Sequence, residues 1–178
     1  MLKFLFIILF IINSLQLFCQ NPIDSIMREI GRLDTTFVYK EELLVHIPNT
    51  NIKIQPPNHF LFSQELPGYI HSGTTTTIEF KEIHGTSYIM IDAGMTAENF
   101  SKQNATLLDK KEFITKNELT GILYLLEFEM NGKKYQRYML LAGDYNDTMW
   151  VNASFLKSNK EHIEGIILKS LLTLEFAN

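Results

Sequence analysis

The chain has one cysteine in 178 residues, Cys19, and that scarcity removes several kinds of chemistry at once. Cys19 closes the stretch "MLKFLFIILFIINSLQLFC", which carries an early Lys3, a dense apolar run from Phe4 to Ile12, and a polar break at Asn13 and Ser14. This is the pattern of a secretory signal peptide, expected to span residues 1–19. A membrane-spanning helix wants about 20 predominantly apolar residues, and this run is interrupted sooner, so no integral span is expected in the mature chain. Cleavage after Cys19 leaves Gln20 first and no cysteine behind it. Disulfides, a cysteine nucleophile and a thiolate metal site are then excluded. Lipoprotein processing, with Cys19 as the acylated first residue, fits less well because Phe18 stands where a small residue is wanted. The predicted product is exported, to the periplasm or beyond, and must be held together by a hydrophobic core.

Excess positive charge is also missing. The formal net charge is −4, and the two "KK" pairs at 110–111 and 133–134 have Glu or Asp nearby, so no nucleic-acid footprint is expected. No G-x-S-x-G elbow, G-x-x-x-x-G-K-[ST] loop or G-x-G-x-x-G fingerprint occurs, which leaves the common acyl-transfer and nucleotide-binding chemistries without support. His46, His59, His71, His84 and His162 show no metal-ligand spacing, and His46, inside an apolar cluster, is expected in the core or at a sheet edge. Asp144, Asn146 and Asp147 in "DYNDT" superficially match the start of a calcium loop, but the glycine and the late glutamate are absent and a hairpin turn is expected. Glu127 and Glu129 share a strand face beside Lys134 and are expected to be solvated, unlike a glycosidase pair in a cleft. Sequons at Asn104, Asn146 and Asn152 would matter only in a eukaryotic secretory pathway. No catalytic residue, cofactor or metal is predicted.

What is present is well-patterned structure. Ile23, Ile26, Met27 and Ile30 recur at helical spacing before Gly31, predicting a short amphipathic helix in an extension covering residues 20–42. A main domain is expected over 43–178. It begins with two short strands, "LLVHI" and "IKI", separated by the turn-forming "PNTN". Pro56 and Pro57 forbid regular structure in "QPPNHFLF", and Phe60 and Phe62 are expected to anchor that loop in the core. Residues 75–83 alternate as a half-buried strand, and a helix is expected from Ala97 to about Gln103, with Thr96 as its N-cap and Glu98 in the first turn. Four strands in meander order follow, at about 107–115, 120–130, 133–142 and 148–155. Ser158, with Glu161 three residues later, reads as a capping box. Behind it Ile163, Ile166, Ile167, Leu171 and Leu174 share one helical face.

The pair Asn131-Gly132 predicts a two-residue type I′ hairpin, because both residues tolerate positive φ. That fixes a register: Met130 opposite Lys133, Glu129 opposite Lys134, Phe128 opposite Tyr135, Glu127 opposite Gln136, and Leu125 opposite Tyr138. Farther from the turn both faces are apolar, with Tyr124, Leu126, Met139 and Leu141 on one and Leu123, Leu125, Tyr138 and Leu140 on the other. A sheet apolar on both sides must be covered on both sides. The fold class expected is α+β, an α/β/α sandwich with a central, mainly antiparallel sheet of about six strands and helices on both faces.

The order of elements resembles the PsbP-like superfamily, the domain type of PsbP, Mog and DcrB proteins. The resemblance is carried by "IPNTNIKIQPPNHF" (47–60), "GMTAENF" (94–100), the "NG" hairpin, "LLAGDYNDTMWVNASF" (140–155) and the closing helix, over about residues 43–176. It implies a bacterial envelope protein that binds or assembles and does not catalyse, with a protein as partner. A chaperone or immunity-type role is the first alternative and an enzyme of unknown type the second. Apolar residues that one core does not absorb are the expected contacts: Pro56, Pro57, Phe60 and Phe62 in the loop, Ile23 and Met27 on the amino-terminal helix.

Overall fold

The structure, a computed structural model, describes residues 32–177. The expected signal peptide, Cys19 and the amino-terminal helix with Ile23 and Met27 lie outside the described residues. The larger compact unit starts at Leu33.

The hairpin sets the frame. Strands β7 (Thr120–Met130) and β8 (Lys133–Gly143) pair from Met130↔Lys133 through Glu129↔Lys134, Phe128↔Tyr135, Glu127↔Gln136 and Leu125↔Tyr138. Asn131 and Gly132 have φ of 52° and 71°, the left-handed pair that a type I′ turn requires. Beside them run β6 (Ala105–Ile114) on one side, and β9 (Asp147–Leu156) and β5 (Thr76–His84) on the other. Two short strands, β3 (Leu61–Ser63) and β4 (Gly68–His71), extend the sheet to seven strands, all antiparallel, in the order β3-β4-β5-β9-β8-β7-β6.

Helical layers on both faces of this sheet were expected, and that is not what forms. One face packs against helix α3 (Lys160–Leu171) together with a second, three-stranded sheet of β1 (Val45–His46), β2 (Ile52–Ile54) and β10 (Glu175–Phe176). Ile52, Ile54, Ile163, Ile167, Leu171 and Leu174 meet Leu123, Leu140, Val151 and Phe155 in the main core. Among the described residues the other face receives only two short helices, α1 (Tyr88–Asp92) and α2 (Ala97–Lys102), of five and six residues. The physical reason is the break at residues 93–96. Thr96 has left the helical region and caps α2 by accepting from the Asn99 N–H at 3.2 Å, so among the described residues no single long helix spans this side. These two short helices pack on an apolar patch of Tyr124, Leu126, Met139 and Leu141, with Ile122, Leu107 and Trp150 partly buried around it.

Other local expectations divide. The capping box at Ser158 does not form. Residues Lys157–Asn159 make a 3-10 turn that feeds α3, whose N-cap is Asn159 without a side-chain bond. The loop at 144–147 is the expected hairpin turn, with Asp144 Oδ1 accepting from the N–H groups of Asn146 (2.7 Å) and Asp147 (2.8 Å). Among the described residues, no helix is long and apolar enough to cross a membrane.

Candidate functional site

Two surfaces carry unusual chemistry. The first contains the loop singled out from the sequence. Pro57 is buried, Pro56 half-buried, and Phe60 is 6% exposed, with its ring stacked 5.2 Å from that of the buried His71. Phe62 does not sink into the core as expected. It is 39% exposed and packs edge-on against Tyr69, 5.5 Å between ring centroids, because it belongs to β3 at the margin of the sheet. Leu61 (57%) and Leu66 (37%) are exposed beside it. Among the described residues β3 has a strand neighbour on one side only. The opposite edge, β6, is guarded by a register irregularity between Leu107 and Asp109 and by Asp109, Lys110, Lys111 and Glu112. Bulges, charges and short length are how sheet edges avoid pairing with other chains, and β3 has only its three-residue length.

The second surface was not foreseen. On β8 the alternation that sends Met139 and Leu141 toward α1 and α2 sends Arg137 the same way, opposite Leu126 of β7 and Ser154 of β9. Its Nε donates to Ser154 Oγ at 2.9 Å and its guanidinium lies 4.9 Å from the Phe128 ring centre. Among the described residues Arg137 makes no ion pair. Burial pulls its pKa below the ordinary arginine value, with the field of Glu79 acting the other way, and the group stays a cation. Arg137 lines a cleft of about 320 Å³. Phe100, Leu126, Met139 and Trp150 supply apolar wall; Gln103 and Asn104, at the left-handed turn leaving α2 (Asn104 φ 57°), supply amides; Glu129 stands at its edge. The Trp150 indole N–H donates to Asn152 Oδ1 at 3.2 Å, which fixes the ring. The available sequence signal was a lone arginine at a position whose neighbours two residues on and opposite are Met139 and Leu126.

Other titratable clusters are structural. Asp92 accepts both the Tyr124 hydroxyl and Lys110 Nζ (2.6 Å), pinning α1 to the sheet. Partial burial pushes the Asp92 carboxyl up, but those two donors outweigh it and hold the group below its ordinary value. Burial and the same hydrogen bond push the Tyr124 hydroxyl up. Both groups are thereby locked in their resting protonation states, the opposite of what acid–base catalysis needs. Tyr138 is likewise raised, by burial and its bond to Glu164 of α3. Glu127 takes Lys157 as its ionic partner at 2.8 Å, with Gln136 Nε2 at 3.1 Å. His46 is exposed on β1, an edge strand. Among the described residues no three His, Cys, Asp or Glu side chains converge as metal ligands.

No family model matches the chain, and none of the curated proteins does. Solved structures do. LpqN of Mycobacterium tuberculosis, described as involved in cell envelope biogenesis, is 11% identical over 76% of this chain and 90% of its own, with a TM-score of 0.54. CyanoP, the cyanobacterial PsbP of Synechocystis, is 8% identical over 81% of this chain and 98% of its own, with a TM-score of 0.52. The likeness is one of fold. A protein from Bacteroides thetaiotaomicron is 14% identical over 72% of this chain, with a TM-score of 0.47, and this chain spans 46% of its length. The likeness to LpqN and CyanoP fits a PsbP-like fold, without the helical layers on both faces that the sequence led us to expect.

Proposed function

We propose that this is an exported, non-catalytic PsbP-like protein of the bacterial cell envelope that engages a protein partner along β3 and the loop before it. The observation that carries the reading is the asymmetry of the two sheet edges. β6 exposes Leu108 and Ile114 but is bulged and charged between them, whereas β3 and the turn after it present Leu61, Phe62 and Leu66 to solvent beside backbone groups that, among the described residues, no second strand pairs. An extended segment of a partner adding there would satisfy those groups and cover the three side chains. Envelope placement is supported by the signal-like leader and by the fold shared with LpqN, a protein involved in cell envelope biogenesis.

Leu61→Lys is the direct test, because Leu61 is exposed and its loss leaves the core intact. Tagged wild-type protein and Leu61→Lys are recovered from cross-linked envelope fractions and the captured proteins compared. A protein held by the wild type and lost from the variant is expected; identical captures from both would remove β3 from the proposal.

A further inference from the structure

We propose that the cleft beside Arg137 binds a small organic monocarboxylate, its carboxylate on the guanidinium and its apolar body against Trp150, Met139 and Phe100. A half-buried cation is costly unless paired and fully hydrogen-bonded. Here Nε is satisfied by Ser154 and one face of the guanidinium by Phe128, while among the described residues the two Nη groups have no hydrogen-bond partner and no carboxylate forms an ion pair with the group. The unused edge is the one that accepts a carboxylate through two parallel N–H bonds.

Charge and size narrow the ligand. The cleft contains one cation, with Glu129 at its edge and the field of Glu79 reaching Arg137, so a dianion such as a phosphate monoester would face two carboxylates with a single counter-charge. A monoanion matches the guanidinium one for one and adds the least further negative charge. The volume of about 320 Å³ lies at the small end of ligand pockets. The walls divide into an apolar part (Phe100, Leu126, Met139, Trp150) and an amide part (Gln103, Asn104), matching a ligand with one greasy and one polar end. The cleft lies on β7 to β9, and β4 and β5 separate it from the β3 edge, so either surface can fail without the other.

Trp150 is the only tryptophan in the chain and lines the cleft, which makes its fluorescence a local reporter. The full exported protein is titrated with hexanoate and with 3-phenylpropanoate, and in parallel with hexan-1-ol, which keeps the tail and lacks the charge. The expected result is a saturable change with at least one carboxylate, weakened at least tenfold for the alcohol and at least tenfold in Arg137→Leu. Arg137→Lys, which keeps the charge and loses the fork, should fall between. No saturable response to either carboxylate into the millimolar range, or equal responses from the alcohol or from Arg137→Leu, would overturn the assignment.

Discussion

The backbone N–H of Gln55 donates to Thr173 Oγ1 at 2.9 Å across 118 positions of sequence, with both residues buried. Thr173 in turn donates to the Ser170 carbonyl at 2.7 Å, and Ser170 Oγ donates to the Gln55 carbonyl at 2.6 Å, so the end of α3 and the end of β2 are tied in one closed circuit. The Gln55 side chain extends it, donating to the Val38 carbonyl (2.9 Å) and accepting from the Lys40 N–H (2.8 Å).

Thr173→Val keeps the shape of that side chain and removes its oxygen, leaving the Gln55 N–H buried without a partner. The expected cost is about 1–3 kcal/mol in urea unfolding, and Thr173→Ser should recover most of it. A valine variant as stable as the wild type would mean that the circuit holds nothing the core does not already hold.

His84 on β5 faces Asp147 on β9, Nδ1 to Oδ1 at 2.8 Å, with Glu82 Oε2 3.9 Å from its other ring nitrogen. The Asp147 bond first, and then the Glu82 charge, raise the His84 pKa above its ordinary 6.5. A histidine whose folded-state pKa is raised contributes stability that is complete below the unfolded value and is lost as pH rises through the folded one. The wild type should therefore melt above His84→Asn on the acid side of 6.5 and lose that advantage on the alkaline side. The group is exposed, so the gap is small and calls for calorimetric melting curves. A gap that grows with pH would reverse the sign.

Gly68 of β4 pairs with Glu79 of β5. A Cβ placed there would stand 1.9 Å from the Ile78 carbonyl oxygen. Gly68→Ala must separate the two strands at the root of the β3 edge, with an expected cost of about 1–3 kcal/mol. Amide exchange should speed up in β3 and β4 and stay unchanged in the β7–β8 hairpin; a uniform change would show that the edge is not a separate unit.

What the sequence disclosed was local. The hairpin register was legible pair by pair because Asn131-Gly132 carries its own turn geometry, and the cap at Thr96 because a side chain and an N–H three residues on suffice to make it. The buried face of α3 from Ile163 to Leu171 followed from period alone, whereas Leu174, expected on the same face, lies past the end of the helix and is buried there. Elements that depend on distant partners were hidden. "GYIH" becomes β4 only because Tyr69 meets Ile78, and Glu175–Phe176 becomes β10 only because β2 is there to receive it. "YIMID" suits strand or helix equally, and Ser87, accepting from the Met90 N–H, decides for helix. Ser158 looked like a cap and fell inside a 3-10 turn. Of the two candidate surfaces, the loop with Phe60 and Phe62 was visible as surplus apolar sequence. The cleft was not, since Arg137 gains its meaning from Ser154 and Trp150 on the next strand and from α2 above.

Arg137 separates a structural role from a functional one through stability. If the guanidinium is there to hold β8 to β9 through Ser154, then Arg137→Leu loses that bond and should destabilise the fold by about 1–2 kcal/mol. If it is there for a ligand, the free protein carries a desolvated cation on a face shared with Leu126 and Met139, and leucine is the better fit. The second case predicts a variant as stable as the wild type or more so, as expected where a binding site is maintained against the preference of the core. Urea midpoints of the two proteins at neutral pH decide it. Adding hexanoate should then raise the midpoint of the wild type alone, since only a native state that binds the carboxylate is stabilised by it. A shift of equal size in both proteins would return Arg137 to the scaffold.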